Sequence, residues 1–540
     1  MILRKLNNFL FLAVNQPSEI KIKKIEVSMI FKLLLFTFVF VGFAAEKPNI
    51  VFIFTDDHAC QSIGTYGSKI NKTPNLDRIA NEGAVFLNSF CANSICGPSR
   101  ACVLTGKHSH KNGFYTNYGG TKFKATQFTF PKLLQKSGYQ TALFGKWHLN
   151  STPTGFDSWE ILPGQGSYYN PTFETASGIK KYEGYCTTIT TDMSLNWLEK
   201  RDKKKPFLLM CQHKAPHRTW APDLKHLNKY ADVDIPEPAT LFDNYKDRSS
   251  TLSKNAMSID KHFYYAYDLK VHQDVPFSSK REKKLRDYEY KRMNPAQKKV
   301  WDAFYKKRNS EFIKNAPKGK DLIRWKYQRY VKNYIRCIDS VDENVGRILD
   351  YLDKNDLSKN TIVVYSSDQG FYLGEHGWYD KRWMFEESLK MPFIIRWPGN
   401  IKPGTRYDQL IQNIDYAPTF LEAAGIAVPE SAEIQGESMV PLFKNPQAKG
   451  RDAIYYHYYE HGGEHQVPRH EGVRDGRYKL INFYSNDGFN LFDLEKDPNE
   501  MTDLSKKPEY KQVIGVMKEK LANLRKQYDL PDLSKVPKFK

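Results

Sequence analysis

Continuous apolar runs that end abruptly in polar residues recur along the chain. Pro48 to Asp57 reads Pro-Asn-Ile-Val-Phe-Ile-Phe-Thr-Asp-Asp, and residues 141–148, 206–217 and 361–370 repeat the arrangement. Runs without apolar–polar alternation are typical of strands buried on both faces of a parallel sheet. The pattern predicts an α/β fold whose polar strand ends meet at the carboxyl edge of the sheet, where such folds bind ligands. A solvated turn is the alternative for the first Asp-Asp pair.

Other stretches of the chain have a different texture. Apolar residues recur at helical spacing from about Tyr327 to Leu352, and this helix leads into the strand that begins at Thr361. Beyond Gly425 the segments become shorter and rich in aromatic residues. We therefore expect a large domain over residues 46–425 and a smaller α+β domain over residues 426–540, with an antiparallel sheet and a terminal helix.

Residues 240–333 form a basic segment with many Lys, Arg and Tyr residues and little apolar periodicity before its end. We expect a mostly helical, surface-exposed insertion at the rim of the large domain. A solvated charged face is the preferred interpretation, and a dedicated substrate-binding surface is the alternative.

The first 45 residues read as a leader. Met29 to Ala45 contains a lysine, an apolar run and small residues suited to cleavage, as secretory signals do. The run is short for a membrane span, so we expect export to the periplasm or the medium without stable membrane insertion. Translation starting at Met29 is an alternative, since the preceding 28 residues would make an unusually long leader.

The chain of 540 residues has a formal net charge of +20, which favours acidic partners. Nucleic acid, an anionic membrane and a sulfated polysaccharide all have that property. Without a zinc-knuckle spacing, a Walker loop or an RNA-binding signature, we expect no nucleic-acid partner. Seven cysteines do not make a disulfide scaffold in a chain of this size, although export would permit some to pair.

One short stretch, Cys96 to Gly106, combines helix signals with candidate chemistry. Pro98 suits the first turn of a helix and Gly106 suits its end, so Cys96 is expected at a helix N-terminus. Arg100 follows one turn later, where it adds positive charge to the N-terminal dipole. The stretch is therefore suited to hold an anion, and a small buried cysteine before an ordinary helix is the alternative.

The sequence Cys-x-Pro-Ser-Arg-x-x-x-Leu-Thr-Gly over residues 96–106 resembles the signature of the type I sulfatases, and the resemblance extends from Pro48 to about Glu500. It implies an alkaline-phosphatase-like α/β fold, with a mixed, mostly parallel sheet flanked by helices, and sulfate ester hydrolysis. It also implies that Cys96 is converted to formylglycine by a formylglycine-generating or anaerobic sulfatase-maturing enzyme. The hydrated aldehyde would attack sulfur and later expel sulfate.

Asp56, Asp57, Asp368 and Gln369 follow two predicted strands and offer only oxygen ligands. Such a set suits a hard divalent cation, calcium before magnesium, and does not suit zinc. The resemblance implies the same single calcium ion, which the modified Cys96 would also contact. Gln369 stands where the family commonly has Asn or His.

The resemblance also implies catalytic roles. Arg100 would steady the modified residue, and Lys146 and Lys381 would bind the sulfate oxygens. His148 would act nearby, and His217 is the preferred proton donor to the leaving oxygen. Strand alternation would send the side chains of Lys146 and His148 to the same side. Taken singly, each lysine would be interpreted as a surface ion pair and each histidine as a structural hydrogen-bonding residue; only the set as a whole favours the catalytic roles.

Residues 213–220, 367–378 and 380–383 resemble bacterial polysaccharide sulfatases, with enzymes that act on ulvan first and glycosaminoglycan N-acetylglucosamine-6-sulfatases second. A phosphodiesterase or phosphonate hydrolase of the same superfamily and a non-catalytic protein that binds acidic polysaccharide are further alternatives. Candidate sugar-binding residues lie in the C-terminal domain, where an ordinary aromatic interface is an equal alternative. They are Tyr456, His457, His465, Arg469 and His470.

Overall fold

A ten-stranded mixed sheet runs through the computed structural model, which describes residues 47–118, 121–272, 279–463, 465–485 and 487–537. The strands are β1 (Asn49–Thr55), β2 (Ala84–Phe90), β3 (Gln140–Lys146), β4 (Ser158–Leu162), β5 (Thr172–Thr175), β6 (Gly178–Lys181), β7 (Phe207–Gln212), β8 (Thr361–Ser367), β9 (Tyr372–Leu373), β10 (Tyr379–Asp380), β11 (Phe393–Arg396), β12 (Thr405–Gln412), β13 (Ala453–Tyr458), β14 (His470–Asp475), β15 (Tyr478–Phe483) and β16 (Gly488–Asp493).

The α-helices are α1 (Pro74–Asn81), α2 (Cys96–Thr105), α3 (Ser109–Asn112), α4 (Phe130–Lys136), α5 (Cys186–Lys200), α6 (Lys280–Leu285), α7 (Pro295–Asn315), α8 (Gly319–Lys354), α9 (Glu386–Leu389), α10 (Tyr416–Ala423), α11 (Val440–Lys444) and α12 (Lys511–Gln527).

The strand order across the large sheet is β12-β2-β11-β8-β1-β7-β3-β4-β5-β6. Strands β8, β1, β7, β3 and β4 run parallel, and β11 runs antiparallel to both of its neighbours. All seven residues of β1 are buried, as expected for a central strand covered on both faces. The mixed, mostly parallel α/β sheet of the sequence analysis is confirmed.

A four-stranded antiparallel sheet, β13 to β16, forms the C-terminal part of the fold. Tyr456 and Phe492 on one face pack into the main hydrophobic core, while Tyr455 on the other face packs against Met517 and Leu521 of α12. The antiparallel sheet and the terminal helix are confirmed. Because the chain from Pro48 onward forms one compact unit, the division at residue 426 stays a prediction.

The basic segment over residues 240–333 differs from expectation in its first part. Helices α6, α7 and the start of α8 lie within it, but the described residues between 240 and 272 form no α-helix. Leu252, Ile259 and Phe263 are buried there. The expectation of a mostly helical and exposed segment is therefore wrong for residues 240–272, because their apolar side chains pack into the core from irregular backbone.

All seven cysteines are buried and unpaired in the described part of the chain. Among the residues that the structure describes, no helix has both the length and the apolar character needed to cross a membrane. The predicted leader, residues 1–45, lies outside the described residues.

Candidate active site

Two acidic strand ends meet at the carboxyl edge of the sheet. Asp56 and Asp57 follow β1, and Asp368 follows the neighbouring parallel strand β8. All three are buried, and one carboxylate oxygen from each lies within 4.8 Å of the others. The backbone turns sharply at Asp57, with φ at +68°, and its N–H donates to Asp368 Oδ1 at 3.1 Å.

Helix α2 begins at Cys96, so the thiol lies at a helix N-terminus as predicted. The N-cap residue Ile95 supplies no side-chain hydrogen bond, and Gly106 ends the helix with φ at +67°. Gly97 donates its N–H to Asn117 Oδ1 at 3.1 Å. A Cβ at Gly97 would lie 2.6 Å from that oxygen, so only glycine fits without displacing it.

Arg100 joins α2 to three strands. Its Nε donates to Asp368 Oδ2 at 3.1 Å, and its Nη1 donates to the Lys146 carbonyl oxygen at 2.9 Å and to Gln212 Oε1 at 3.0 Å. The guanidinium is buried and contacts β8, β3 and β7 through these residues. Arg100 therefore fixes the position of a carboxylate in the acidic cluster.

Two buried lysines reach the same cluster. The Lys146 ammonium donates to Asp56 and, at 2.5 Å, to Gln165 Oε1. The Lys381 ammonium donates to Asp57 and lies 3.3 Å from the Cys96 sulfur. Burial alone would lower the pKa of Lys381, but the nearby charges, Asp57 foremost, raise it above its ordinary value. The site thus holds fixed positive charge beside position 96.

Burial raises the pKa of the Cys96 thiol to about 12, although Lys381 opposes the rise. A thiol with this pKa carries almost no thiolate at neutral pH, and the thiolate is the nucleophilic form. Unmodified Cys96 is therefore poorly suited to act as a nucleophile itself.

Two histidines border the cluster. Strand β3 ends at Lys146 and the backbone at His148 has φ at +55°, so strand alternation does not extend to His148. That the two side chains point to the same side stays a prediction. His148 Nδ1 is buried without a hydrogen-bond partner. His217 Nε2 lies 3.8 Å from Asp57 Oδ2. Burial, with Lys146 as the strongest neighbouring charge, lowers the pKa of both rings well below the ordinary value.

Three buried oxygen atoms at the strand ends lack a hydrogen-bond partner among the residues that the structure describes: Asp56 Oδ1, Asp57 Oδ2 and Gln369 Oε1. The Gln369 amide donates through Nε2 to Asp57, so Gln369 Oε1 is the amide atom that is available to a ligand. Buried oxygens without a partner are costly, and a hard divalent cation is bound by such carboxylate and amide oxygens. The residues present therefore fit a divalent cation bound between β1 and β8.

Three C-terminal candidates are enclosed by other protein groups. The His457 ring nitrogens lie 2.8 Å from the Tyr455 hydroxyl and 3.0 Å from the Tyr484 hydroxyl. His470 donates through Nδ1 to a backbone carbonyl at 2.9 Å and accepts a backbone N–H on Nε2 at 3.2 Å. The buried hydroxyl of Tyr456 donates to another backbone carbonyl. A sugar could bind these histidine nitrogens only if these hydrogen bonds broke.

The other two C-terminal candidates differ. His465 Nδ1 donates to the Ala256 carbonyl oxygen at 3.0 Å, and Nε2 lies 3.2 Å from Asp380 Oδ2. Asp380 directly precedes Lys381, so His465 lies next to the loop that supplies that lysine. Arg469 is half-buried, with its guanidinium 5.9 Å from the centre of the Tyr484 ring. Sugar binding by these residues stays a prediction.

Sequence reasoning missed Gln212 and Gln165. Gln212 ends β7, so its position after an apolar run was a usable signal for its contact with Arg100. Gln165 lies on an exposed loop between Gly164 and Gly166, and no local pattern connects it with Lys146. Such a contact depends on the tertiary fold alone.

Taken together, the α/β fold and this edge of the sheet define an enzyme for esters of a small oxyanion. It offers a divalent-cation site, buried lysines and a helix N-terminus around one residue. The chain belongs to the sulfatase family: the family model described as Sulfatase matches residues 48–426, and the model N-sulphoglucosamine sulphohydrolase, C-terminal, matches residues 374–527. It is a sulfuric ester hydrolase, and this family generally uses a formylglycine and a divalent metal.

Individual relatives give a finer comparison. The chain is 47% identical over 496 residues to an N-acetylglucosamine-6-O-sulfatase of Bacteroides thetaiotaomicron, covering 89% of this chain and 87% of the relative. It is 28% identical to an ulvan-active sulfatase of Formosa agariphila, covering 88% and 79%. A solved structure in complex with its substrate D-glucosamine-2-N,6-O-disulfate superposes with a TM-score of 0.86 at 45% identity, covering 91% of this chain and 100% of the other.

Proposed function

We propose that this sulfatase removes the 6-O-sulfate from N-acetylated or N-sulfated glucosamine residues of sulfated saccharides. The observation that carries the proposal is the similarity to the structure bound to D-glucosamine-2-N,6-O-disulfate, which extends over that whole chain at 45% identity. The 47% identity to an N-acetylglucosamine-6-O-sulfatase supports it further. The ulvan-active relative is 28% identical, so we rank ulvan, the first expectation from the motifs, second.

We propose calcium as the metal, with Asp56, Asp57, Asp368, Gln369 and residue 96 as the groups that hold it. Three of these offer the oxygen atoms without partners described above, and an all-oxygen set favours calcium among biological divalent cations. Bound there, the cation would supply positive charge for a sulfate oxygen and for the nucleophile.

The proposed nucleophile is formylglycine made from Cys96, whose hydrated aldehyde supplies a hydroxyl that can attack sulfur. The protein groups around it have separable roles. Lys146 and Lys381 would each donate to a sulfate oxygen and stabilise the charge that develops in the transition state. Arg100 would keep Asp368 oriented through the hydrogen bonds that it already makes.

The sugar 6-oxygen is a basic leaving group and needs a proton as the S–O bond breaks. His217 Nε2 is the nitrogen that faces the cluster, because Nδ1 is engaged by a carbonyl oxygen. A bound sulfate brings negative charge to a site where burial and lysines disfavour the protonated ring, so substrate binding would favour protonation of His217. His148 would act near the hydrated aldehyde.

Maturation and export complete the proposal. A formylglycine-generating or anaerobic sulfatase-maturing enzyme would act on Cys96 before folding, because the thiol is buried in the folded chain. The leader over residues 1–45 would direct the protein to the periplasm or the medium, where sulfated saccharides are found.

The proposal is tested with purified protein from a host that installs formylglycine. Mass spectrometry of the peptide containing Cys96 should show a loss of about 18 Da relative to the thiol. Released sulfate is then measured by ion chromatography with N-acetylglucosamine-6-sulfate, glucosamine-2-N,6-O-disulfate, ulvan oligosaccharides, an aryl sulfate and an aryl phosphodiester, each with calcium or with a chelator.

We expect the glucosamine 6-sulfates to be the best saccharide substrates, and calcium to be required. Faster turnover of ulvan oligosaccharides would overturn the substrate, and faster turnover of the phosphodiester would favour the phosphodiesterase alternative. Binding of sulfated saccharide without turnover by fully converted protein would favour the non-catalytic alternative.

A further inference from the structure

A buried ion pair lies directly behind His217. Arg218 Nε donates to Asp268 Oδ1 at 2.7 Å, and Arg218 Nη2 donates to Asp268 Oδ2 at 2.7 Å. The two side chains are 8% and 0% exposed. Asp268 belongs to the basic segment that sequence reasoning interpreted as a solvated face, so part of that segment is buried against the residue that follows His217.

Arg218, whose side chain pairs with Asp268, also supplies a backbone carbonyl oxygen that His217 contacts. His217 Nδ1 lies 2.6 Å from the Arg218 carbonyl oxygen, and a carbonyl can only accept, so Nδ1 carries a proton. That bond fixes the ring orientation and leaves Nε2 to exchange the second proton toward the cluster. The carbonyl oxygen that accepts this hydrogen bond belongs to Arg218, whose side chain is paired with Asp268.

Arg218 is held from several directions. Its guanidinium lies over the rings of Tyr264, Tyr267 and Tyr379, 5.2 to 5.4 Å from each ring centre. Asp268 is held in turn, because its Oδ2 accepts the Tyr264 N–H at 2.8 Å. Rigid support of this kind is what keeps a proton-transferring group within productive geometry.

A role in binding substrate anions fits Arg218 less well. Both oxygens of Asp268 face the guanidinium in a fork-to-fork pair, which neutralises its charge and occupies two donors. A buried ion pair is also weak evidence for stability, since well-packed apolar residues can replace such pairs at little cost. A positioning role accounts both for the burial of the Arg218–Asp268 pair next to His217 and for the neutralised charge of Arg218.

We propose that Asp268 is a positioning residue for proton transfer: through Arg218 it holds the carbonyl oxygen that orients His217. The inference rests on the part of the proposed function that assigns His217 as proton donor, and it does not depend on which sugar is the substrate. Without the pair, the Arg218 backbone would shift and the His217 ring would lose its fixed orientation.

The experiment compares aryl sulfates that differ in leaving-group basicity. Phenyl sulfate has a more basic leaving oxygen than 4-nitrophenyl sulfate and so depends more on a proton donor. In Asp268→Asn, we expect kcat to fall about 10- to 100-fold on phenyl sulfate and at most about threefold on 4-nitrophenyl sulfate, with KM within about twofold on both. Arg218→Lys, which keeps a charge but loses the fork, should show a smaller difference of the same sign.

The matched control is Asp493→Asn. Asp493 forms the same two-bond pair with Arg477, at 3.0 and 2.7 Å, in the C-terminal sheet. This variant should lower kcat equally, if at all, on both aryl sulfates. Thermal unfolding of each variant reports folding, and the ratio of the two kcat values is insensitive to the fraction of protein that folds.

Equal losses on the two aryl sulfates in Asp268→Asn and Arg218→Lys would overturn the positioning role. So would full activity in both variants. Failure of the proposed substrate is distinguished from this, because it would appear as a wild-type enzyme that hydrolyses aryl sulfates but not glucosamine 6-sulfates.

Discussion

Two regions of the molecule carry buried or half-buried histidines in different surroundings. At the carboxyl edge of the large sheet, His148 has a ring nitrogen without a partner, and His217 keeps Nε2 facing an aspartate 3.8 Å away. In the C-terminal sheet, His457 and His470 have hydrogen bonds at both ring nitrogens. Burial lowers the pKa of all four rings, so desolvation alone does not distinguish the regions.

The difference lies in which polar atoms are left unsatisfied. Among the described residues, the edge of the large sheet retains carboxylate and amide oxygens without partners beside the buried side chains of Lys146 and Lys381. Folding does not favour such an arrangement by itself, because buried polar groups are normally paired. Unpaired carboxylate and amide oxygens therefore distinguish the edge proposed to bind metal and substrate from the C-terminal sheet, where the ring nitrogens of His457 and His470 are already engaged.

Replacing Cys96 with alanine should have the largest effect. The Cys96→Ala variant cannot form the aldehyde, so we expect kcat on an aryl sulfate to fall at least about a thousandfold. The melting temperature should change little, since the substitution removes one buried atom. Released phenol and thermal unfolding measure the two quantities.

Cys102→Ala is the matched control for this prediction. Cys102 lies in the same helix, is equally buried, and contacts Ser109 and Asn112 through its sulfur. Its variant should keep activity within about threefold of wild type. Comparable losses in both variants would show that the helix, and not residue 96, limits activity.

Removing a metal ligand should have the next largest effect. In wild type, saturating calcium should raise the unfolding free energy, by about 2.7 kcal/mol at a hundred times the dissociation constant. Asp57→Asn removes one ligand charge, so we expect loss of this stabilisation and a fall in kcat of about a hundredfold or more. Thermal unfolding with and without calcium measures the stabilisation, and Asp493→Asn, which should keep the full calcium effect, is the control. A full calcium effect in Asp57→Asn would exclude Asp57 as a ligand.

Much of the catalytic edge could be predicted from the sequence because local patterns encode it. The apolar run before Asp56 predicts a buried strand with acids at its end, and Pro98 with Gly106 predicts the short helix that begins at Cys96. The carboxyl ends of parallel strands meet at one edge of a sheet, so residues that follow distant strands could be assigned to one site without knowing their contacts.

The remaining features depend on tertiary contacts that no local pattern carries. His148 lies beyond the end of β3 and itself has a positive φ, so strand alternation does not reach it. Residues 240–272 pack their apolar side chains from irregular backbone, which has no period to detect. His457 and His470 have the composition of a binding site, and only their hydrogen-bond partners show that the ring nitrogens are already engaged.

A third prediction concerns the C-terminal sheet. Burial lowers the pKa of His470 from 6.5 to about 4. The unfolded chain therefore binds more protons between these values, and stability present above pH 6.5 is lost as the pH falls toward 4. This lowering of the His470 pKa corresponds to a loss of about 3 kcal/mol in the free energy of unfolding over that pH range.

His470→Gln should remove this dependence. Between pH 6.5 and 4 the variant should lose about 3 kcal/mol less stability than wild type, while at pH 7 it is less stable by about 1 to 2 kcal/mol. Its kcat should stay within about twofold. Denaturant unfolding at several pH values measures this, with exposed His461→Gln as control. Identical pH profiles in wild type and His470→Gln would contradict the assignment, and a large loss of kcat would move His470 into the catalytic region.

The smallest expected effect tests whether the C-terminal sheet contributes to substrate binding at all. Arg469 is half-buried and its Nε has no hydrogen-bond partner in the described part of the chain, unlike the ring nitrogens of His457 and His470. A cation in this state can bind a second sulfate or a carboxylate of a saccharide, which an aryl sulfate lacks. Arg469→Ala should therefore raise KM about two- to fivefold on a sulfated oligosaccharide and leave KM on 4-nitrophenyl sulfate unchanged. Equal KM values for wild type and variant on both substrates would restrict substrate binding to the edge of the large sheet.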